Sequence, residues 1–284
     1  MVPRVFGKSA PPGLAPPPGL TIIELNFENS KGQFAHEPNP LVAANLAQLQ
    51  ELVKTQKADI GVCFDGDADR CVIVDERGQV VGCDHLTALL ARHFLARRPG
   101  AAVAYDLRST KAVEEEIRAA GGKPIRGRVG HVFMKAAMAE HHATFGGELS
   151  GHFYFEENFN ADSGAIAMAT VLSVLAKSGK KMSQLIAPIA RYAQSGEINF
   201  QIEEKDAALA ELKKQFGPGS KHNGTMDELD GVTIDCFARE GWWCNVRKSN
   251  TEPLLRLNAE AKDRKTLDRI LAGISPLLGK KVDH

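Results

Sequence analysis

Hydrophobic positions in the first third of the chain alternate between a helical and an extended pattern. Leucines and a valine recur at helical spacing between residues 46 and 53, and Asn39 followed by Pro40 favours a helix start in front of them. Residues 60–64 are almost entirely apolar, which is typical of a strand buried on both faces of a parallel sheet. The strands predicted for this region are residues 20–25, 60–64, 71–74 and 80–81.

The middle of the chain continues the alternation of helices and strands. This order favours α/β layers whose loops gather at one edge of a sheet. The predicted helices are residues 84–98, 110–120, a segment from 131, and 162–177. The predicted strands between them are residues 101–105, 123–125 and 143–145.

From about residue 194 the pattern changes to strands joined by tight turns. Asp230-Gly231 and Glu240-Gly241 favour antiparallel pairing there. The predicted strands are residues 196–203, 232–237, 242–247 and 254–258, and the predicted helices are 206–216 and 263–278. The predicted fold class is therefore α/β, with layered α/β domains, one incomplete and one complete, followed by a small α+β C-terminal domain with an antiparallel sheet. The predicted domains are residues 1–82, 83–193 and 194–284.

Composition and charge limit the classes of binding partner that we expect for this protein. The 35 basic and 35 acidic residues cancel, which favours neither a nucleic acid nor an anionic membrane surface. No apolar run approaches the ~20 residues that a membrane-spanning helix needs. The five cysteines form no CxxC pair, and Cys63, Cys71 and Cys236 lie in apolar runs, as expected of free thiols in a reducing compartment. We expect a cytoplasmic protein without nucleic-acid or membrane partners.

The strongest chemical motif follows the predicted strand at residues 60–64. Asp65, Asp67 and Asp69 are two residues apart, and on an extended backbone their side chains point the same way. Three such carboxylates repel one another, and a hard divalent cation relieves the repulsion. Arg70 adds a donor for a phosphoryl oxygen. The alternative is an acidic surface turn.

Two other motifs place aspartates at similar spacing. A calcium loop of the EF-hand kind requires glycine at its sixth position, where this chain has Arg70 followed by a strand. A phosphatase of the haloacid-dehalogenase kind also places Asp-x-Asp after an apolar strand, but it usually has Thr or Val where this chain has Asp69. An aspartyl-phosphate phosphatase that uses Asp65 stays as an alternative.

A glycine-rich segment at residues 146–152 is a second candidate site. Glu148 and Ser150 are two apart and could both face the hydroxyl groups of a sugar. His152 could transfer a proton near neutral pH. A glycine-rich turn with a polar exterior is the alternative.

A third candidate lies between two predicted strands of the last domain. Arg247, Ser249, Asn250 and Thr251 offer a guanidinium fork, hydroxyl groups and an amide, which suit a phosphate. A solvated turn is the alternative, and Arg256 belongs either to the cradle or to the outer face of its strand.

Two strand-to-helix junctions carry further cationic or titratable groups. Arg108 precedes a helix start, where anions are favoured, although a plain helix cap at Thr110 explains the segment equally well. His131 begins another helix, where a lone histidine is more often structural.

In their order along the chain, these motifs resemble those of the α-D-phosphohexomutase family (phosphomannomutase/phosphoglucomutase), and the resemblance extends from about residue 20 to the end. It implies part of a four-domain protein built around a deep cleft, with the end of the second domain, the third and the fourth. It also implies Mg²⁺ bound by Asp65, Asp67 and Asp69 together with a phosphoserine. The other roles implied are sugar binding by Glu148 and Ser150, phosphate binding by Arg247, Ser249, Asn250 and Thr251, and catalytic assistance by Arg70, Arg108, His131 and His152.

The activity that the resemblance implies is interconversion of hexose 1-phosphate and hexose 6-phosphate through a phosphoserine and a bisphosphate. Leu149 and Asn250 stand where relatives acting on glucosamine phosphate usually have Gln and Gly. The implied substrates are therefore glucose or mannose 1- and 6-phosphates. A non-catalytic hexose-phosphate binding protein is the alternative.

The chain departs from the family pattern at the nucleophile. The family's first domain carries the reactive serine in a Ser-His-Asn loop, and no Ser-His pair occurs in the 284 residues. Ser9 lies in a Pro-rich segment with neither His nor Asn beside it. We therefore expect a chain without the N-terminal phosphoserine domain, through gene truncation or an interior start codon, or as a naturally shortened sugar-phosphate binder.

Overall fold

The computed structural model describes residues 19–27, 32–249 and 252–282. Its first layer is a helix against a three-stranded antiparallel sheet of order β1-β2-β3. Every position of β2 is buried, whereas β1 is buried at Gly61 alone. The elements are α1 (Ala43–Gln56), β1 (Ile60–Phe64), β2 (Cys71–Asp75) and β3 (Val80–Val81).

Three predictions for this region are wrong. Residues 20–25 form no strand and are largely exposed, since no strand of the described residues pairs with them. The β1 strand pairs antiparallel with β2 and is only half-buried, so it is not an interior parallel strand. Asn39 does not cap α1, because its Oδ1 accepts the N–H of Leu41 within a turn and the helix begins at Ala43.

The second layer is a five-stranded sheet of order β5-β4-β6-β7-β8. Strands β4, β5 and β6 are parallel, whereas β7 and β8 are added antiparallel. The strands are β4 (Ala102–Asp106), β5 (Lys123–Gly127), β6 (Ala143–Gly147), β7 (Phe153–Phe155) and β8 (Ala161–Asp162). The helices are α2 (Cys83–Arg97), α3 (Lys111–Ala119), α4 (His131–His141), α5 (Gly164–Ser178) and α6 (Met182–Ile186), with a 3₁₀ turn at Glu156–Asn158.

One hydrophobic core joins these two layers, from Leu46 of α1 to Ile189 beyond α6. Phe94 of α2 stacks on Phe145 of β6 with 4.9 Å between ring centroids. Helix α2 also approaches β6 so closely that a Cβ on Gly147 would lie 2.2 Å from Oγ1 of Thr87. Glycine at that position therefore sets the distance between helix and sheet.

The third layer is a six-stranded antiparallel sheet of order β10-β11-β12-β13-β9-β14, which has a core of its own with α7 and α9. Gly231 and Gly241 adopt φ of +74° in the two predicted turns, and the antiparallel pairing expected there is confirmed. The strands are β9 (Ala193–Gln201), β10 (Thr225–Asp227), β11 (Val232–Asp235), β12 (Trp242–Lys248), β13 (Leu254–Ala261) and β14 (Lys280–Val282). The helices are α7 (Lys205–Phe216), α8 (Phe237–Glu240) and α9 (Arg264–Leu278). The predicted fold class is confirmed.

Buried carboxylates tie the third layer to the second at the N-terminus of α3. Oε1 of Glu260 accepts the N–H of Lys111 at 2.9 Å and the indole N–H of Trp243 at 2.9 Å. Oδ2 of Asp84 accepts the N–H of Thr110 at 2.9 Å and the side-chain amide of Gln194 at 2.6 Å. We call this contact the α3 junction. Both side chains thus accept backbone N–H groups at the start of α3, which have no partner within the helix.

All five cysteines are free, with Cys63 half-buried and the other four buried. Among the described residues, none of the helices combines the length and the apolar character that a membrane crossing requires.

Candidate functional site

The segment between β1 and β2 brings three carboxylates together. Asp65, Asp67 and Asp69 each place one oxygen within 4.8 Å of the others. The backbone is not extended as predicted, because Ala68 adopts a left-handed conformation with φ of 64° and its N–H donates to the carbonyl of Asp65. A turn, rather than the two-residue repeat of a strand, therefore gathers the three side chains. We call residues 65–70 the metal loop.

Arg70 holds Asp65 on both of its oxygens. Its Nε donates to Oδ2 at 2.6 Å, and its backbone N–H donates to Oδ1 at 3.1 Å. Burial alone favours the neutral form of the carboxyl group, but these hydrogen bonds and the charge of Arg70 lower the pKa of Asp65. Asp65 is therefore ionised and fixed in place.

Asp69 is the carboxylate with a free buried oxygen. Its Oδ1 is buried and has no hydrogen-bond partner in the described part of the structure, and Nε2 of His152 lies 3.4 Å away. Burial and the neighbouring Asp65 raise the pKa of Asp69 to about 6. Crowded carboxylates with an unsatisfied oxygen are a donor set that fits a hard cation such as Mg²⁺.

The connection between β6 and β7 carries Glu148, Ser150 and His152, and we call residues 146–152 the sugar loop. Glu148 is only 2% exposed, with Oε1 accepting the N–H of Gly130 at 2.9 Å and Oε2 accepting the hydroxyl of Tyr154 at 2.6 Å. Burial and the adjacent Glu148 raise the pKa of Tyr154, which remains a donor. Oγ of Ser150 lies 2.9 Å from Nδ1 of His152. The three predicted side chains thus form one cluster.

Backbone pairing joins the metal loop to the sugar loop. Arg70 and His152 form an isolated antiparallel bridge, and the N–H of Cys71 donates to the carbonyl of Gly151 at 3.0 Å. Two loops that are about 80 residues apart in sequence are therefore held side by side by one backbone bridge.

Arg108 is anchored by a residue that sequence analysis did not select. Nε and Nη2 of Arg108 donate to the two oxygens of Asp106 at 3.2 and 2.9 Å. Asp106 is fully buried and also accepts the N–H of Leu149 in the sugar loop at 2.7 Å. Although burial opposes ionisation, Arg108 and these hydrogen bonds lower the pKa of Asp106. The sequence signal for Asp106 is that it is an acidic residue at the end of an otherwise apolar strand.

Arg108 and His131, at the two strand-to-helix junctions, differ in how far the structure supports their predicted roles. Oγ1 of Thr110 accepts the N–H of Ala112, so the plain helix cap is confirmed, while Arg108 turns toward Asp106 instead. His131 is the exposed first residue of α4. Within the described part of the chain, its side chain has no hydrogen bond to the sugar loop, whereas the preceding Gly130 does.

The third predicted site is described in part. Arg247 and Ser249 are buried at 8% exposure each, and Asn250 and Thr251 lie outside the described residues. Nη2 of Arg247 donates to Oε2 of Glu197 at 2.8 Å. Nη2 of Arg256 lies 3.4 Å from Oγ of Ser249, so Arg256 faces the cradle rather than the outer surface. We call residues 247–251 the phosphate loop.

Glu197 is the second residue that sequence analysis missed. Its Oε2 is 3.7 Å from Nη1 of Arg108, so it links the phosphate loop to the second layer. Burial favours its neutral form, but Arg247 and Arg108 lower the pKa of Glu197. Its position in a strand of mixed polarity gave no sequence signal for this role.

Three family models match successive parts of the chain. The phosphoglucomutase/phosphomannomutase alpha/beta/alpha domain II matches residues 13–78, the alpha/beta/alpha domain III matches 83–192, and the C-terminal domain matches 197–276. Together these matches account for most of the sequence.

Relatives and solved structures agree with these matches. The chain is 40% identical over 250 residues to a phosphomannomutase of Methanocaldococcus jannaschii, covering 88% of this chain and 54% of that protein. It is 38% identical over 255 residues to a protein named phosphohexose mutases in Xanthomonas campestris, covering 89% and 56%. A phosphoglucomutase/phosphomannomutase family protein from Burkholderia thailandensis has the same fold, with a TM-score of 0.75, 29% identity, and coverage of 86% of this chain and 51% of that one.

The chain spans about half the length of the curated relatives that it matches. The matches run through the metal loop, the sugar loop and the phosphate loop in the order in which the family places its domains. The chain belongs to the phosphoglucomutase/phosphomannomutase family.

Proposed function

We propose that this chain provides the metal-, sugar- and phosphate-binding parts of a phosphohexose mutase that interconverts the 1- and 6-phosphates of glucose or mannose. The observation that carries the proposal is the backbone bridge between Arg70 and His152, which sets a candidate cation site beside a candidate sugar site. The names of the relatives, phosphomannomutase and phosphohexose mutases, support the same reaction class.

Asp65, Asp67 and Asp69 are the proposed ligands of Mg²⁺. When bound, the cation neutralises negative charge on the phosphoryl group that is transferred. Arg70 keeps Asp65 ionised and in position through two hydrogen bonds. The solved N-acetylphosphoglucosamine mutase of Aspergillus fumigatus, which was crystallised with GlcNAc-6P and magnesium, shares the fold with a TM-score of 0.59 at 15% identity.

Glu148 and Ser150 are the proposed sugar-binding residues. Both oxygens of Glu148 already accept a hydrogen bond, but each carboxylate oxygen has a second lone pair for a sugar hydroxyl. The close contact between Oγ of Ser150 and Nδ1 of His152 orients the hydroxyl group. His152 and His131 are proposed to exchange protons with the reacting oxygens, and Arg108 to stabilise their charge.

The phosphate loop is proposed to bind the phosphate at the end of the sugar that does not react. Nε of Arg247 is buried and has no hydrogen-bond partner among the described residues, so it has an unused donor for an anion. Ser249, Asn250 and Thr251 are proposed to add hydroxyl and amide donors. One phosphate site that accepts either end is what a reaction through a reorienting bisphosphate requires.

The proposed reaction moves a phosphoryl group from a phosphoserine to the free hydroxyl of the hexose phosphate, and the other phosphate of the resulting bisphosphate returns to the serine. No Ser-His pair occurs in the chain, so the phosphoserine is not assigned to any of its residues. We also propose the division into residues 1–82, 83–193 and 194–284, which is supported by three separate sheets.

Two alternatives use the same residues. A hexose-phosphate binding protein would need the sugar and phosphate loops without the transfer step, and an activity assay separates it from a mutase. An aspartyl-phosphate phosphatase would need Asp65 as the nucleophile. Both oxygens of Asp65 are engaged by Arg70, and its side chain is 3% exposed, which disfavours attack on a phosphate.

A titration with glucose 6-phosphate, glucose and inorganic phosphate tests the proposed function. If the sugar and phosphate loops bind one ligand, glucose 6-phosphate has a lower Kd than either fragment, and its chemical-shift changes include both residues 146–152 and residues 247–249. Equal Kd values for glucose 6-phosphate and inorganic phosphate would show that the sugar loop takes no part. Shifts confined to residues 146–152 would contradict the phosphate site.

A further inference from the structure

Three arginine side chains converge on the carboxylate of Glu197 in β9. Oε2 of Glu197 is 2.8 Å from Nη2 of Arg247 and 3.7 Å from Nη1 of Arg108. Oε1 is 3.2 Å from Nη1 of Arg256. Arg108 lies in the turn after β4 of the five-stranded sheet, and the other two lie in β12 and β13 of the six-stranded sheet. Glu197 is therefore shared by both layers at the phosphate loop.

Strand register explains why a carboxylate is needed at this point. Arg247 and Arg256 are direct partners across β12 and β13, and like charges directly opposite each other destabilise a sheet. Glu197 pairs with Asn258, which is two residues from Arg256 and therefore on the same face of β13. Without an anion in this position, the two guanidinium groups would repel each other.

Arg247 offers a phosphate the same nitrogen that Glu197 occupies. A side-on bidentate contact to a guanidinium group uses Nε and Nη2 together. Glu197 accepts from Nη2, while Nε is buried and, within the described parts of the chain, has no partner. Glu197 therefore binds Nη2 of Arg247 and leaves Nε unused, although a guanidinium group can bind one anion through both nitrogens.

We propose that Glu197 is an internal competitor for the phosphate site, which occupies Nη2 of Arg247 in the free protein and is displaced by the phosphate of the incoming hexose phosphate. The inference rests on the proposed phosphate site at Arg247. In the free protein Glu197 keeps the arginines aligned, and it lowers the affinity for the ligand. Displacement also removes a contact of Arg108, so occupancy of the phosphate loop is communicated to the second layer.

The substitution Glu197→Gln tests this role, since it keeps the shape of the side chain and removes its charge. We expect the Kd for glucose 6-phosphate and for inorganic phosphate, measured by calorimetry on the full chain, to fall roughly three- to tenfold. Glu203→Gln is the matched control: it removes the same charge from an exposed position in the same layer and leaves both Kd values unchanged. A merely structural role of Glu197 would leave the affinity unchanged or weaken it.

Arg247→Ala, measured in parallel, tests the proposed phosphate site separately from the proposed competition by Glu197. If Arg247→Ala leaves phosphate binding intact, the phosphate site itself is wrong. If Arg247→Ala weakens binding but Glu197→Gln does not tighten it, only the competition is wrong. If Glu197→Gln fails to fold, Glu197→Asp keeps the charge and withdraws the carboxylate by one methylene, and a smaller decrease in Kd is expected. An unchanged or higher Kd for Glu197→Asp then overturns the inference.

Discussion

The hydroxyl group of Tyr154 in β7 donates a hydrogen bond of 2.6 Å to Oε2 of Glu148 in the sugar loop, and both side chains are buried. The carboxylate proposed to bind the sugar is therefore set in place from inside the fold. Its other oxygen accepts the N–H of Gly130 at the start of α4. Glu148 is thus held on both sides before any ligand arrives.

Tyr154→Phe is expected to weaken binding of the sugar and spare that of phosphate. Removal of the hydroxyl group leaves Oε2 of Glu148 buried without its donor, which costs about 1–3 kcal/mol of unfolding free energy. The Kd for glucose 6-phosphate should rise, while the Kd for inorganic phosphate should not change. Tyr105→Phe is the control, because Tyr105 is also buried and its hydroxyl has no hydrogen bond among the described residues. Equal stability losses in both variants would contradict the role given to Tyr154.

Arg247→Ala is expected to raise the Kd for glucose 6-phosphate by about ten- to a hundredfold, since a charge-assisted contact contributes roughly 1.5–3 kcal/mol. Arg247→Lys should recover only part of the affinity, because an ammonium group keeps the charge but loses the planar fork. Arg264→Ala removes an exposed arginine of α9 and is expected to have no effect. Calorimetry on the three variants decides the matter, and full recovery by lysine would argue against a bidentate contact.

Asp67→Asn is expected to abolish a weak binding of Mg²⁺. The metal loop of the wild type offers three carboxylates, but Mg²⁺ prefers sites that include a phosphate, so the affinity of the wild type should be low. Asp67 is the exposed member of the group, and its replacement should disturb the fold least. Asp59→Asn, at an exposed position before β1, serves as the control. Calorimetric titration that shows the same Mg²⁺ binding in Asp67→Asn would exclude the metal loop.

The α3 junction predicts how stability changes with pH. Burial raises the pKa of Glu260 to about 7 from an ordinary value of 4.5, so the folded protein binds a proton that the unfolded chain has lost. Stability from this group is fully present below pH 4.5 and is lost as the pH rises through 7, by roughly 3 kcal/mol in all. In Glu260→Gln, the loss of urea stability between pH 5 and pH 8 should be smaller than in the wild type. An identical pH profile for both proteins would refute this assignment.

The chain by itself is expected to show at most trace mutase activity. It contains no Ser-His pair to carry the phosphoryl group, and loss of a nucleophile lowers kcat by several orders of magnitude. The mutase activity can be measured in a coupled assay with glucose 1-phosphate or mannose 1-phosphate, primed with the 1,6-bisphosphate. Robust turnover by the purified chain would contradict this expectation and would call for a nucleophile within the chain.

Local patterns were sufficient to predict the layers but not the neighbours of each strand. Apolar runs and turn residues such as Gly231 indicate most of the longer strands, and the predicted fold class is confirmed. The direction of β1 depends on its pairing with β2, which is a contact between segments and leaves no periodic signal in either. Residues 20–25 have a strand-like composition, yet a strand without a partner does not form.

Sequence patterns also do not indicate which side chains from distant segments support the candidate site. Carboxylates and arginines in short motifs stand out in a sequence because the residues of each motif are close together along the chain. Asp106, Tyr154 and Glu197 act on residues in other segments, and each looks like an ordinary strand residue in isolation. Ala68 is a further case, since its left-handed backbone, which gathers the three aspartates, is not a conformation that alanine favours.

The backbone bridge between Arg70 and His152 has a consequence, under the proposed function, for ligands of different length. It fixes the metal loop and the sugar loop relative to each other, so main-chain geometry sets the distance between the proposed cation and sugar sites. A hexose 1-phosphate and a hexose 6-phosphate would place their phosphates at different distances from these two sites. We expect the six-stranded sheet to take up that difference, since side-chain hydrogen bonds attach it at Glu260 and Gln194.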